Sequence, residues 1–220
     1  MSIPVLYEDA ELLAVDKPAG VASIPQRGRA GDDLATRLNI QQGCRLWVVH
    51  RLDKAVSGVI LFAKDAETHR WLNSEFAGRR VEKHYRALVH GCLDREHGSI
   101  DVPLRAFGSG RMGVDLQRGK ASCTMYERHQ IAADYSLVSA YPVTGRRHQI
   151  RVHLYHIGHP IVGDPRYGDP VRQAAYPRLM LHARRIALTT RGGNSLTVES
   201  PLPPSFLTCL ASLGIHSCDS

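Results

Sequence analysis

Paired cysteines are missing from this chain of 220 residues. Cys44, Cys92, Cys123, Cys209 and Cys218 are odd in number and form no C-x-x-C pair, which leaves no basis for a zinc ribbon or a disulfide framework. Thiols so arranged stay reduced in a cytosol-like compartment. No apolar run approaches the roughly 20 residues of a membrane-spanning helix. The opening Met1-Ser2-Ile3-Pro4-Val5-Leu6-Tyr7-Glu8-Asp9 lacks the basic stretch and apolar stretch of a secretory leader. The sequence thus predicts a soluble, cytoplasmic protein with no membrane partner. Also absent are the G-x-x-x-x-G-K-[ST] phosphate loop, a G-x-G-x-x-G after a strand and the G-x-S-x-G elbow. Nucleotide hydrolysis, dinucleotide redox chemistry and serine esterase activity lose their usual carriers, and no nucleotide cofactor is expected. Internal repeats and low-complexity tails are missing too.

What is present is positive charge. Lys and Arg number 28 against 21 Asp and Glu, a formal charge of +7. Such an excess favours polyanionic partners, because each phosphate contact releases condensed counterions. It is equally compatible with a merely basic soluble protein. The length suits one sizeable core, and residues 1–220 are read as a single domain.

Short apolar segments open the chain, Ile3 to Tyr7 and Leu12 to Val15, the second running into Lys17-Pro18-Ala19-Gly20, where a turn is expected. Gln26 to Gly31 forms a basic, glycine-containing loop in which Arg27 and Arg29 are candidate phosphate contacts, and Leu34 and Leu38 follow at helical spacing. Ser57 to Ala63 is a continuous apolar run of strand length, as expected of a strand covered on both faces. Asp65 is placed to cap a helix running through Ala77, with His69, Leu72 and Phe76 on one face and Gly78 as its stop. Lys83 to Val89 alternates, putting Tyr85 with Ala87 and Val89 on one side, and His84, Arg86 and Leu88 on the other.

A glycine- and arginine-rich stretch from Pro103 to Lys120 predicts a hairpin or loop, and Ala121 to Arg128 and Tyr135 to Val143 read as strands. Thr144 is expected to cap a helix from Gly145 to Gly158 with Ile150, Leu154 and Ile157 buried and Arg147 and Arg151 flanking that stripe. His159 to Pro170 reads as a succession of turns. Strands at Leu179 to Leu188 and Leu196 to Val198 and a helix from about Ser205 end the chain. Many strands mixed with a few helices, without regular alternation, predict an α+β fold with a mixed, largely antiparallel sheet, a central cleft and flanking helices.

Three groups of residues have chemistry to offer. His50-Arg51-Leu52-Asp53 sets a carboxylate beside an arginine just before a buried strand, as a nucleophile, a base or a structural ion pair. Tyr85 puts a hydroxyl on an otherwise apolar side, where a core tyrosine is the alternative. Arg146, Arg147 and Arg151 crowd a predicted helix start, a setting that favours anions. His148, His153, His156 and His159 suggest a metal, but only His153 and His156 would be helical neighbours, and no H-E-x-x-H or Cys/His set completes a site.

Five segments in order resemble the RluA-type family of pseudouridine synthases over about residues 5 to 200. They are Lys17-Pro18-Ala19-Gly20; His50-Arg51-Leu52-Asp53-Lys54-Ala55-Val56-Ser57-Gly58; Lys83 to Gly91; Thr144 to His153 with Gly158-His159-Pro160-Ile161 and Gly163-Asp164; and Leu181-His182-Ala183. Val56 stands where the family usually has Thr, and Arg147 where Thr, Ser or Lys is usual. The resemblance implies isomerisation of uridine to pseudouridine in structured tRNA or ribosomal RNA, without cofactor or metal. It implies Asp53 as the attacking carboxylate and Tyr85 against the uracil, assisting proton removal. It also implies Arg151 paired with Asp53, Arg51 filling the place of the displaced base, Leu181 in the apolar wall and Arg147 near the substrate. Finally, it implies a compact catalytic-domain member with no separate N-terminal RNA-binding domain, and the chain is read as a monomer. A non-catalytic RNA-binding module would explain the charge but has no need of Asp53, Tyr85 and Arg151, and a metal-dependent RNA hydrolase would need a ligand set that cannot be assembled.

Overall fold

The computed structural model describes residues 2–26, 31–108 and 110–216. In chain order the elements are β1 (Val5–Glu8), β2 (Leu12–Lys17), α1 (Leu34–Gln42), β3 (Trp47–Val48), β4 (Ser57–Ala63), α2 (Ala66–Ala77), β5 (Glu82–His90), β6 (His97–Asp101), β7 (Leu104–Ala106), β8 (Met112–Val114), β9 (Cys123–Ala132), β10 (Tyr135–Pro142), α3 (Gln149–His156), α4 (Pro170–Ala174), β11 (Leu181–Thr189), β12 (Ser195–Glu199) and α5 (Pro204–Ser212). The expected α+β class holds, with strand pairs that are largely antiparallel. Two compact units divide the chain: Met1–Lys83 with Ala183–Pro201, and His84–His182 with Leu202–Ser220.

In the first unit β2 lies between β1 and β4, antiparallel to both, and β12 runs antiparallel to β11. All seven residues of β4 are buried, as its unbroken apolar run requires. Its glycine has a reason: Gly58 has φ +115°, and a Cβ there would collide with the carbonyl of Ala183. Asp65 caps α2 as expected, its Oδ1 accepting from the amides of Glu67 and Thr68 at 2.8 Å each. Asp33 does the same for α1, which buries Leu34 and Leu38.

In the second unit the strands follow the order β5-β10-β9-β6, each pair antiparallel. From Arg86 to His90 every residue of β5 is buried, so both sides of the strand are covered there. One expectation needs correction here. The helix predicted from Gly145 starts at Gln149, because His148 adopts the left-handed conformation (φ 55°) and interrupts the chain's path into a helix. Arg147 therefore precedes α3 and is exposed, while Arg151 is buried with both its neighbours. β6 and α4 were not foreseen. The former buries a single apolar residue, Ile100, and gives no pattern; the latter hides in the run of turns, although Asp169 capping at Arg172 N and Pro170 in the first turn mark its start.

Candidate active site

Asp53 sits in the first unit on the loop between β3 and β4, half-buried, with the exposed Arg51 two residues before it and the buried Leu52 between them. The main chain on each side of Asp53 is tied down. Leu52 gives its N–H to Ser23 Oγ (3.1 Å), and its carbonyl accepts the same hydroxyl (2.8 Å). The Lys54 carbonyl accepts from Gly20 N at 2.8 Å and from the Lys17 ammonium at 3.3 Å. Lys17 is wholly buried and also donates to the carbonyls of Pro18 (2.9 Å) and Val21 (2.8 Å). The Lys17-Pro18-Ala19-Gly20 turn thus carries no reacting group; it fixes the backbone that carries one. A buried ammonium needs such acceptors, and the carbonyls of a tight turn supply them.

His50, which opens the loop, is a structural base. Its Nε2 accepts the amide of Leu61 at 2.9 Å and its ring stacks on Phe76 with centroids 4.8 Å apart. Burial, with the charge of Lys83 adding to it, pushes its pKa down to about 3, so the ring is neutral.

The second unit holds Tyr85, Arg147, Arg151 and Leu181. Tyr85 is half-buried on β5, opposite Ala140 of β10. Leu181 is buried at the start of β11. Arg151 projects from the first turn of α3 and is held by Asp164: Nε to Oδ2 and Nη2 to Oδ1 are both 2.8 Å. Its guanidinium carbon also lies 5.1 Å from the centre of the Tyr167 ring. Asp164 is itself fixed, accepting from the amides of Arg166 (2.9 Å) and Tyr167 (3.2 Å). Arg147 points elsewhere, donating to the Gly110 carbonyl in the turn between β7 and β8.

The Thr144–Arg147 turn is set by one buried amide. Gln149 donates from Nε2 to the Cys123 carbonyl and Thr124 Oγ1 (2.9 Å each), and its Oε1 accepts from Thr144 Oγ1 (2.6 Å) and Arg146 N (3.0 Å). All four hydrogen-bonding positions of the amide are used. Thr144 therefore steadies a turn, where the sequence predicted a helix cap. The histidines are structural as well: His153 bonds Thr124 Oγ1 (2.9 Å) and Ser122 Oγ (3.1 Å), burial lowers its pKa to about 4, and His148 Nδ1 meets the Tyr167 hydroxyl at 2.8 Å. Among the described residues no three His, Cys, Asp or Glu side chains are grouped to hold a metal ion. Arg27 and Arg29 lie outside the described residues. Lys17 and Asp164 stand in the family motifs but carry no role there, and Ser23 and Tyr167 are not singled out by the sequence. Tyr167 is hidden in a string of turn residues, and the signal available for Lys17 is a lysine ending an apolar strand directly before proline.

No helix among the described residues is long and apolar enough to cross a membrane. Comparison with known proteins agrees with the motif order. The sequence profile of the RNA pseudouridylate synthase family matches residues 11–156. The dual-specificity RNA pseudouridine synthase RluA of Escherichia coli K12 is 39% identical over 202 residues, spanning 90% of this chain and 92% of that protein. Its Haemophilus influenzae counterpart of the same name is 35% identical over 192 residues, 85% and 87% of the two chains. Among solved structures, human RNA pseudouridylate synthase domain containing 4 superposes with a TM-score of 0.81 at 26% identity, covering 97% of this chain and 94% of that one. Human RNA pseudouridylate synthase domain containing 1 gives 0.79 at 29%, covering 94% and 87%. A family profile that takes in the Asp53, Tyr85 and Arg151 segments, and full-length relatives that share one activity, make this chain a member of the RNA pseudouridylate synthase family and an isomerase of RNA uridine.

Proposed function

We propose that this protein converts specific uridines of structured tRNA, ribosomal RNA or both to pseudouridine, with Asp53 as the attacking carboxylate. The observation that carries the assignment is the clamping of Leu52 and Lys54, which fixes the backbone on both sides of Asp53 while leaving its side chain half-buried rather than enclosed. Such preorganisation is what a carboxylate attacking a bound nucleotide needs. In the reaction the bond from uracil N1 to ribose C1′ breaks, the ring turns, C5 bonds to C1′, and a proton leaves C5 while N1 gains one. Mass and oxidation state are unchanged, so the chemistry calls for no redox cofactor.

The other roles follow the family motifs residue by residue. Tyr85 stacks on the uracil and assists proton removal, Arg151 supplies positive charge, and Leu181 contributes apolar wall. Arg51 takes the place of the displaced base, offsetting an unstacking cost of a few kcal/mol. Arg27, Arg29 and Arg147 bind RNA. The family match draws on both compact units, which supports reading the chain as one catalytic domain. The cysteines described are all free thiols, in keeping with a cytoplasmic enzyme, and we read it as a monomer.

The test is incubation of the purified protein with tRNA and ribosomal RNA, followed by site mapping of pseudouridine. The expected result is intact RNA of unchanged mass with altered uridines, full activity in chelator, and no turnover by Asp53→Asn, which still binds RNA. Cleaved RNA, or appreciable isomerisation by Asp53→Asn, would overturn the reading.

A further inference from the structure

The short hairpin of β7 and β8 rests on a small apolar cluster of its own. Leu104 and Met112 from the two strands pack with Val152 of α3 and with Tyr167, and Val114 joins them. Val152 is the residue after Arg151, so the hairpin is seated on the helix turn that carries the arginine. Tyr167 is 1% exposed and makes polar contacts with three parts of this unit. Its hydroxyl accepts the amide of Met112 at 3.1 Å, which ties it to β8. The same hydroxyl meets His148 Nδ1 at 2.8 Å, which ties it to the residue just before α3. Its ring lies 5.1 Å from the guanidinium carbons of both Arg151 and Arg111, the latter just before β8.

Arg151 is constrained on two sides by one turn. Asp164, at one end of Asp164-Pro165-Arg166-Tyr167, takes the Nε/Nη2 edge of the guanidinium, and Tyr167, at the other end, sets its ring 5.1 Å from the guanidinium carbon. A bidentate carboxylate at one edge and a packed ring together restrict the group more than a carboxylate alone can. We propose that Tyr167 is a positioning residue: it couples the seating of the β7–β8 hairpin to the orientation of Arg151, so that hairpin and arginine are ordered together. The proposal rests on the reading that Arg151 takes part in the reaction.

Tyr167→Phe keeps the ring and its packing and removes only the hydroxyl, so the variant folds. The coupling predicts three results. Loss of the hydroxyl with its bonds to Met112 and His148 should slow the single-turnover rate at saturating RNA about tenfold, with the RNA dissociation constant within about twofold of the parent. Amide exchange at Met112 should quicken by about the same factor, with core strands β5 and β10 unaffected. In an Arg151→Lys background, where the planar group is already gone, Tyr167→Phe should bring no further loss of rate. A parental rate for Tyr167→Phe beside a slow Arg151→Lys overturns the coupling and leaves the role of Arg151 standing. Unchanged exchange at Met112, or losses that multiply in the double variant, also overturns it. A parental rate for Arg151→Lys would instead remove the reading on which the proposal rests.

Discussion

Arg151 and Asp164 meet through two parallel hydrogen bonds of 2.8 Å, with side-chain exposures of 6% and 0%. Both charges have left water, so removing Asp164 takes from the buried guanidinium the carboxylate on its Nε/Nη2 edge. Asp164→Ala should cost about 3–5 kcal/mol of stability. Arg151→Met combined with Asp164→Asn removes both charges and keeps an oxygen for the amides of Arg166 and Tyr167. It should recover most of that loss yet stay inactive. Urea denaturation and a pseudouridine assay on the same three proteins check this. An active double variant would show that the pair serves folding only.

Lys17 provides a second test of preorganisation. Its ammonium serves three carbonyls, one of them Lys54, next to Asp53. Lys17→Met keeps the length of the side chain and takes the ammonium donor from all three carbonyls, Lys54 keeping only the Gly20 amide, so about 1–3 kcal/mol of stability should go. Because the loop then wanders, kcat should fall by more than KM rises. A stability loss with parental kcat would limit Lys17 to holding the turn.

These two residues also show where sequence reading stops. The strands β2 and β4 and the capped helix α2 were legible because periodicity, Asp65 and an unbroken apolar run each name a local structure. Asp53, Tyr85 and Arg151 were legible because they stand in ordered motifs. The partners that hold them were not: Ser23 is 29 positions from Leu52 and Asp164 is 13 from Arg151. Nothing in a local pattern says which buried polar group will be satisfied by which. The late start of α3 has the same origin, since the left-handed His148 is stabilised by Tyr167, a residue 19 positions on.

Acid stability should report on His50. In the unfolded chain its imidazole titrates near the ordinary 6.5, whereas the folded pKa is about 3. Between these values the unfolded state binds the proton and the folded state does not, so stability falls as pH falls. The contribution is fully present above pH 6.5 and is lost progressively towards pH 3. One such group gives a slope of up to about 1.4 kcal/mol per pH unit. His50→Gln keeps an acceptor for the Leu61 amide and does not titrate. It should flatten the acid limb by that amount in denaturant titrations run from pH 7 to pH 4. An unchanged slope would move the acid sensitivity to His153, whose folded pKa of about 4 acts in the same direction.

Arg51 separates displacement of the base from simple attraction to phosphate. It is exposed, two residues from Asp53 and beyond the buried Leu52, so the fold does not need its charge. If it takes the space left by the target uridine, Arg51→Ala should slow product formation on a structured RNA far more than on a short unpaired strand, because only the former has a stacked base to replace. The salt dependence of binding should hardly change, since no phosphate contact is lost. Arg27 and Arg29 should behave in the opposite way. Loss of either should weaken binding to both RNAs and lower the magnitude of the log–log salt slope by roughly 0.7 to 0.9 per contact. Single-turnover rates on the two substrates, with affinities across a salt series, distinguish these outcomes. Equal rate losses on both RNAs together with a lower salt slope would make Arg51 a phosphate contact and leave base extraction to another group.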